Sequence, residues 1–217
     1  MQKAKEFSIY LGGGGGSSAS AALDTVFFGN LPADGTILYI PVALESDRFP
    51  SALEWFSGVV RRYSQTLKIE MLTDNHAGII DFSKYDAVYM GGGNVYKLLD
   101  FIVKQNLGRK LKDFIKSGKA VYGGSAGAII LGKSVNVASE MDERGNYKYD
   151  EGLDLFQGAC IACHWPQTDD YVRKFAAENK CRVYCIPENC GLIFDSNGNL
   201  VKTIGEGVEV LREKLFG

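Results

Sequence analysis

Long apolar runs are absent from this chain of 217 residues. The run near its start, Phe7 to Leu11, is too short for the core of a signal peptide. No other run approaches the roughly 20 apolar residues that cross a bilayer as a helix. We therefore expect no membrane span and a cytoplasmic location. The length predicts one α/β domain over residues 1–217.

A surplus of charge of one sign is absent as well. The 24 basic and 26 acidic residues are mixed along the chain and give a formal net charge of -2. No stripe of basic residues is present that could follow a phosphate backbone. We therefore expect neither nucleic acid nor a membrane as a partner.

Metal-ligating side chains are scarce, since the chain has two histidines and five cysteines. The segment Cys160-Ile-Ala-Cys163-His164 spells the C-x-x-C-H pattern of covalent haem attachment. That attachment goes with exported proteins, and the segment has the pattern of a buried strand in which cysteines pack as small apolar groups. A zinc site would need a second C-x-x-C pair. We expect no metal or other cofactor, and five reduced thiols.

What the sequence does contain is an alternation of short apolar runs with longer amphipathic stretches. Continuous apolar runs predict parallel strands covered on both faces, and apolar residues at helical spacing predict helices. The predicted strands are residues 7–11, 36–43, 67–72, 87–90, 120–123, 159–162, 182–186, 191–194, 201–204 and 208–211. The predicted helices are residues 50–63, 96–104, 108–116 and 170–178. The alternation predicts a three-layer α/β/α sandwich with a mostly parallel sheet and antiparallel strands at its C-terminal end.

Three glycine-rich turns, residues 12–16, 91–93 and 123–124, each follow a predicted strand. In a parallel sheet such turns gather at the carboxyl edge, where ligands bind. The first cluster fits the dinucleotide pattern G-x-G-x-x-G only by sliding along the glycines, and no acidic residue ends a strand near position 40. No Lys-Ser or Lys-Thr pair follows it to make a P-loop. We interpret this cluster as a flexible or tightly folded loop at the rim of the site.

The third cluster is part of Gly123-Gly-Ser125-Ala126-Gly127, a G-x-S-x-G turn between a predicted strand and the start of a helix. In such a turn the serine hydroxyl projects from the sheet edge, above the positive end of the following helix. The residues two positions away on either side must be tiny. We interpret Ser125 as a nucleophile and the Ala126 amide as an oxyanion donor. The turn at residues 91–93 is a source of the second donor.

A serine nucleophile needs a base, and the chain offers only His76 and His164. Both follow predicted strands, so both can lie at the carboxyl edge. His76 is flanked by polar residues and glycine, as expected of a solvated loop. His164 lies between a buried strand and the stiff Trp165-Pro166 step, which limits its rotamers. We favour His164 as the base.

A carboxylate must then orient the imidazole and stabilise its charged form. Glu188 follows another predicted strand end, in Cys185-Ile-Pro-Glu188. Four acids between Ser125 and His164 would instead give the order serine, acid, histidine: Glu140, Asp142, Asp150 and Asp154. Most of them belong to a charged stretch that resembles a solvated loop. Glu188 is favoured, and Glu140 stays open as its nearest rival.

Together these residues resemble the aspartyl dipeptidase (dipeptidase E) and cyanophycinase family of serine peptidases. The shared features are Gly91-Gly-Gly-Asn94, the elbow around Ser125, His164 and Ile186-Pro-Glu188, in the family's order over about half the chain. The resemblance implies a flavodoxin-like sandwich related to class I glutamine amidotransferases. It implies a triad of Ser125, His164 and Glu188, with oxyanion amides from Ala126 and one of Gly92 or Gly93. Asn94 would lie beside a small peptide substrate.

Two departures from the family limit what the resemblance implies. The segment after His164 is shortened, which leaves open whether Arg173 corresponds to the family's arginine that contacts an acidic substrate side chain. Cys163 and Trp165 also replace the usual neighbours of the histidine. The resemblance therefore implies the hydrolytic chemistry but not the preference for aspartate. An esterase or amidase with the same residues, a non-catalytic binding module, and assembly as a homodimer stay open.

Overall fold

The computed structural model describes residues 7–16, 18–73 and 80–212. Within these ranges the strands are β1 (Ile9–Gly12), β2 (Thr36–Ile40), β3 (Lys68–Met71), β4 (Ala87–Met90), β5 (Ala120–Gly124), β6 (Cys160–Trp165), β7 (Val183–Pro187), β8 (Gly191–Phe194), β9 (Leu200–Ile204) and β10 (Glu209–Leu211). The α-helices are α1 (Ala21–Gly29), α2 (Phe49–Arg61), α3 (Val95–Lys104), α4 (Leu107–Lys116), α5 (Ala126–Ile129) and α6 (Asp169–Glu178). Short 3₁₀ turns cover Ser46–Arg48, Phe82–Lys84 and Val135–Ala138.

The main sheet has seven strands in the order β3-β2-β4-β5-β1-β8-β9. The first five of these are parallel to their neighbours. β8 runs antiparallel to β1, and β9 runs antiparallel to β8. The predicted fold class, a mostly parallel α/β sheet with antiparallel strands near the C-terminal end, is confirmed.

A second sheet was not expected from the sequence pattern. It has three strands in the order β10-β7-β6, with β6 and β7 parallel and β10 antiparallel to β7. Strand β10 belongs to this second sheet, whereas β8 and β9 complete the main sheet. Apolar runs predict strands but not their partners, because pairing is set by packing between distant segments. Of the residues predicted to be catalytic, His164 lies in β6 of the second sheet and Glu188 directly follows β7.

Two separate apolar layers cover the main sheet. Tyr10, Tyr39 and Tyr89, on β1, β2 and β4, pack with the buried faces of α1 and α2. The residues that alternate with them, such as Leu11 and Val88, pack with α3, α4 and α5. Because side chains alternate across a strand, the period of two produces the three layers.

Helix α2 illustrates why the amphipathic stretches fold as predicted. Pro50 lies at its start, where the missing N–H has no helical partner to lose. Phe56 and Val59 are buried, whereas Trp55, at the border of the buried face, is 42% exposed. Burying each such apolar side chain contributes about 1.5–3 kcal/mol. Helix α1 was missed, because its adjacent Phe27 and Phe28 are both buried and mask the helical period.

Among the described residues, no helix has the length and apolar character to cross a membrane. The five cysteines are free thiols, and each is buried. The two cysteines of the C-x-x-C-H pattern lie on β6, in the core. No group of metal-ligating side chains is assembled within the described ranges.

Candidate active site

Ser125 occupies a sharp turn between β5 and α5. Its backbone has φ 50° and ψ -113°, a conformation that is strained for any residue with a side chain. A Cβ on Gly123 would lie 2.4 Å from the carbonyl oxygen of Gly127, and one on Gly127 would lie 2.3 Å from that of Met90. Tiny residues are therefore required on both sides of the serine. Helix α5 is a single turn, so its macrodipole is smaller than the sequence pattern suggested.

The structure brings Ser125, His164 and Glu188 together. Ser125 Oγ lies 2.8 Å from His164 Nε2, and His164 Nδ1 lies 2.8 Å from Glu188 Oε1. The imidazole is 20% exposed and the carboxylate 44% exposed. Gln167 Nε2 also donates to Glu188 Oε1, at 3.4 Å. The two 2.8 Å contacts join the Ser125 hydroxyl, the His164 imidazole and the Glu188 carboxylate in one hydrogen-bonded line.

The three side chains are held by two sheets. Ser125 directly follows β5 of the main sheet, whereas His164 lies in β6 and Glu188 directly follows β7 of the second sheet. His164 lies within β6, not after it as expected, at an irregularity in the pairing of β6 with β7 between Ala162 and Trp165. Its backbone has φ 56°, which departs from strand geometry and turns the imidazole away from the strand's regular alternation.

Gly92 is the member of the 91–93 turn that lies against the serine. A Cβ on Gly92 would lie 3.3 Å from Ser125 Cβ and 3.7 Å from its Oγ. Gly93 has φ 135° and packs against the carbonyl of Ala43. Gly92 and Ala126 thus adjoin Ser125, and the amide of each has no acceptor among the described residues.

Asn94 is placed as a helix cap. Its Oδ1 accepts from the Lys97 amide at 2.9 Å, and its Nδ2 donates to the Glu143 carbonyl at 2.8 Å. Its backbone amide donates to Ala43 at 2.9 Å. The side chain predicted to lie beside the substrate thus already fixes the start of α3 and the loop around Glu143.

Arg173 is placed in an ion-pair cluster. Its guanidinium donates to both carboxylate oxygens of Glu209 at 2.9 Å and pairs with Asp169 on the same helix. It also stacks over the ring of Trp165, 5.3 Å from the centroid. The charge predicted to meet an acidic substrate side chain is therefore balanced by two carboxylates of the protein itself.

Asp142 is the acid that the sequence pattern undervalued. It belongs to the charged stretch interpreted as a solvated loop, yet it is half-buried and its Oδ2 accepts from the Val95 amide at 2.8 Å. Burial raises the pKa of Asp142, an effect opposed by the Val95 hydrogen bond and by the charge of His164. Glu140 is exposed. His76, the rival base, lies outside the described residues.

The glycine cluster after β1 was expected at the rim of the site, and it lies against the site itself. A Cβ on Gly14 would lie 2.2 Å from His164 Cε1, and one on Gly15 would lie 3.2 Å from Glu188 Oε2. The feature that could have located the cluster is its position directly after β1, because β1 is the neighbour of β5 in the sheet. Strand order is not readable from the sequence, so this feature became usable only with the fold.

Known proteins resemble the chain in sequence and in fold. Proteins named peptidase E match it at 26% identity over 143 residues in Pasteurella multocida and at 28% over 122 residues in Streptomyces coelicolor. These matches cover 61% and 55% of this chain, and 59% and 47% of the relatives. The chain thus spans about half the length of the curated relatives that it matches.

Two solved structures share the fold over nearly the whole chain. A putative peptidase E from Listeria monocytogenes has 20% identity and a TM-score of 0.68, covering 95% of this chain and 98% of its own. A peptidase from an acI-B1 actinobacterium has 16% identity and a TM-score of 0.72, covering 98% and 97%. The model of peptidase family S51 matches residues 9–201, which contain the elbow and both of its hydrogen-bonded partners. The chain belongs to peptidase family S51.

Proposed function

We propose that the chain hydrolyses small peptides as a serine peptidase. Ser125 is the nucleophile, His164 the base and Glu188 the acid that orients the imidazole. One observation carries the proposal: the two 2.8 Å contacts that join Ser125 Oγ, His164 and Glu188 Oε1 in a line. Membership of family S51 and the peptidase E relatives support it.

In the first step Ser125 Oγ attacks the carbonyl carbon of the scissile bond, and His164 Nε2 accepts the hydroxyl proton. The Glu188 carboxylate stabilises the imidazolium that forms. The negative oxygen of the tetrahedral intermediate accepts hydrogen bonds from the amides of Gly92 and Ala126. Losing one such donor lowers the rate roughly 10²- to 10³-fold.

In the second step the imidazolium gives its proton to the leaving amine as the C–N bond breaks. A water molecule then attacks the acyl-enzyme while His164 accepts its proton. Collapse of the second intermediate releases the acid product and returns the proton to Ser125 Oγ. The imidazole thus acts once as base and once as acid in each half of the cycle.

The narrower form of the proposal is an aspartyl-type dipeptidase, with Arg173 as the predicted contact for the acidic side chain. Since Arg173 is paired with Glu209 and Asp169, a substrate carboxylate must displace one of them. Arg173→Ala should then raise KM for Asp-Leu more than for Ala-Leu. An equal effect on both dipeptides would remove Arg173 from the substrate site.

A panel of dipeptides with varied first residues, together with a simple nitrophenyl ester, tests the activity. We expect the wild-type chain to hydrolyse at least one dipeptide and the Ser125→Ala variant to hydrolyse none. Turnover of the ester without any dipeptide would favour the esterase alternative. No turnover of either substrate would favour the binding module.

The proposal extends to location and assembly. Five buried free thiols suit a reducing compartment, and we propose a cytoplasmic protein without nucleic-acid or membrane partners. A homodimer and a single domain over residues 1–217 stay predictions. Light scattering after size-exclusion chromatography measures the first, and limited proteolysis measures the second.

A further inference from the structure

The last residue of β1, Gly12, and the turn that follows it form hydrogen bonds with the backbone of Ser125 and His164, two residues of the hydrogen-bonded line. The carbonyl oxygen of Gly12 accepts from the Ser125 amide at 3.1 Å, and that of Gly13 accepts from the His164 amide at 2.8 Å. Ser125 directly follows β5 of the main sheet, and His164 lies in β6 of the second sheet. Two adjacent carbonyls of one turn therefore set the distance between nucleophile and base.

The next residue of the turn lies against the imidazole ring. A Cβ on Gly14 would lie 2.2, 2.6 and 2.8 Å from Cε1, Nε2 and Nδ1 of His164. Hydrogen bonds to Ser125 and Glu188 hold the two ring nitrogens. They leave the ring free to rotate about the axis through these two nitrogens. The backbone of Gly14 occupies the space into which the ring would rotate.

The turn also contacts the strand end that carries the acid. A Cβ on Gly13 would lie 2.0 Å from the Pro187 carbonyl oxygen. On Gly15 a Cβ would lie 3.1 Å from Glu188 Cβ and 3.2 Å from its Oε2. The same four glycines thus contact all three members of the line.

We propose that the polyglycine turn, residues 12–15, positions the nucleophile, base and acid relative to one another, and that Gly14 is a positioning residue for His164. The inference rests on the proposed function and deepens it. It explains why side chains are excluded here: a methyl group on Gly14 must displace the ring. Misplacing a catalytic group by about 1 Å costs up to about 10²-fold in rate.

Two other glycines serve as control positions. They distinguish the positioning of His164 from the general effect of replacing a glycine in or beside a turn. Gly16 follows the polyglycine turn, and a Cβ on it would have nothing within 4 Å. Gly118, after α4, has φ 81°, close to the values of 110° and 80° at Gly14 and Gly15, and a Cβ on it also meets nothing. Gly16→Ala therefore controls for a change beside the turn, and Gly118→Ala controls for backbone strain.

The test compares Gly14→Ala, Gly16→Ala and Gly118→Ala in the full chain. The readouts are kcat and KM on a dipeptide substrate, the pH–rate profile, Tm, and the proton NMR signal of His164 Nδ1–H bonded to Glu188. A His76→Ala background leaves one histidine to assign. We expect Gly14→Ala to lower kcat about 10- to 100-fold with little change in KM, to alter the pH profile and to shift or remove the Nδ1–H signal. Gly118→Ala should lower only Tm, and Gly16→Ala should change none of these readouts.

An unchanged kcat and Nδ1–H signal in folded Gly14→Ala would overturn the inference, as would equal losses in all three variants. If Gly14→Ala does not fold, Gly15→Ala replaces it, because its contacts of 3.0 to 3.2 Å with Ala19 and Glu188 demand a smaller shift. The same reduced kcat and shifted signal are then expected. The NMR readout needs no turnover, so a wild-type chain without peptidase activity would refute the proposed function and still test the positioning role.

Discussion

Two glycine-rich turns meet at Ser125, and they exclude side chains for different reasons. In the elbow, a Cβ on Gly127 would strike the backbone of Met90, on the neighbouring strand. In the polyglycine turn, a Cβ on Gly14 would strike the side chain of His164. At Gly127 the crowding comes from the fold, whereas at Gly14 it comes from a functional group. Glycine is therefore needed for architecture at Gly127 and for the site at Gly14.

The difference also explains why the sequence reveals the role of the elbow but not the role of the polyglycine turn. The elbow is recognisable because Gly123, Ser125 and Gly127 are adjacent in the chain and each depends on its neighbours. Gly14 depends on a histidine 150 positions away. Its role is invisible until the fold brings β1, β5 and β6 together.

The largest effects should come from the residues that both turns hold in place. Ser125→Ala and His164→Ala should each lower kcat by about 10⁴- to 10⁶-fold, because residues that act as a unit are lost together. Far-ultraviolet circular dichroism should confirm that Ser125→Ala folds, since alanine fits the same turn. His76→Ala is the control and should leave the rate unchanged. A silent His164→Ala with a crippling His76→Ala would move the base to His76.

The next effect concerns the acid. Glu188→Gln keeps the size of the side chain but removes the charge that stabilises the imidazolium, so kcat should fall about 10²- to 10⁴-fold. KM should change little, because Glu188 contacts His164 and Gln167. Glu140→Gln is the matched control and should be nearly silent. The reverse pattern would replace Glu188 by Glu140 in the triad.

The two turns should respond differently to an added methyl group. Substitution of Gly127 should mainly lower stability, and substitution of Gly14 should mainly lower activity. Gly127→Ala forces the backbone of Met90 to move, and overpacking of this kind costs about 1–3 kcal/mol in the free energy of unfolding. Gly14→Ala displaces a partly exposed ring and should lower Tm less while lowering kcat at wild-type KM. Thermal unfolding and kinetics on both variants measure the two responses. A larger loss of Tm in Gly14→Ala than in Gly127→Ala would break the distinction.

The smallest effect lies away from both turns, at Asp24 in α1. Burial raises the pKa of Asp24, so its protonated form favours the folded state. That stability is present below the pKa of the unfolded chain and is lost as pH rises through the folded pKa. Asp24→Asn should therefore raise Tm by a few degrees at pH 7, and the gain should shrink towards about pH 4. The exposed Asp34→Asn is the control, and a pH-independent gain in Asp24→Asn would contradict the interpretation.

Much of the fold was predictable because continuous apolar runs mark buried strands. Each predicted strand corresponds to a strand of the structure, with bounds that differ by a few residues. The second sheet was not predictable, since the pairing of β10 with β7 leaves no local pattern. Helix α1 was missed because Phe27 and Phe28 pack side by side into one layer.

The candidate site also has a part that was predictable from the sequence and a part that was not. Ser125, His164 and Glu188 follow from strand ends, a scarcity of histidine and the family resemblance, and the structure brings them together. The capping of α3 by Asn94 has a local signal, because Asn is a preferred N-cap residue directly before a helix. The bond from Asn94 to Glu143 and the pairing of Arg173 with Glu209 have none, because each joins segments that are far apart in the chain. Those contacts decide how free the two side chains are to meet a substrate.

The account depends on Ser125 being activated by His164, and labelling by a fluorophosphonate probe measures this directly. The rate of labelling in the native chain, with the modified peptide identified by mass spectrometry, should place the probe on Ser125. It should be reduced by several powers of ten in His164→Ala and be unchanged in His76→Ala. An unlabelled Ser125 in the native chain, or a rate that does not depend on His164, would contradict the account.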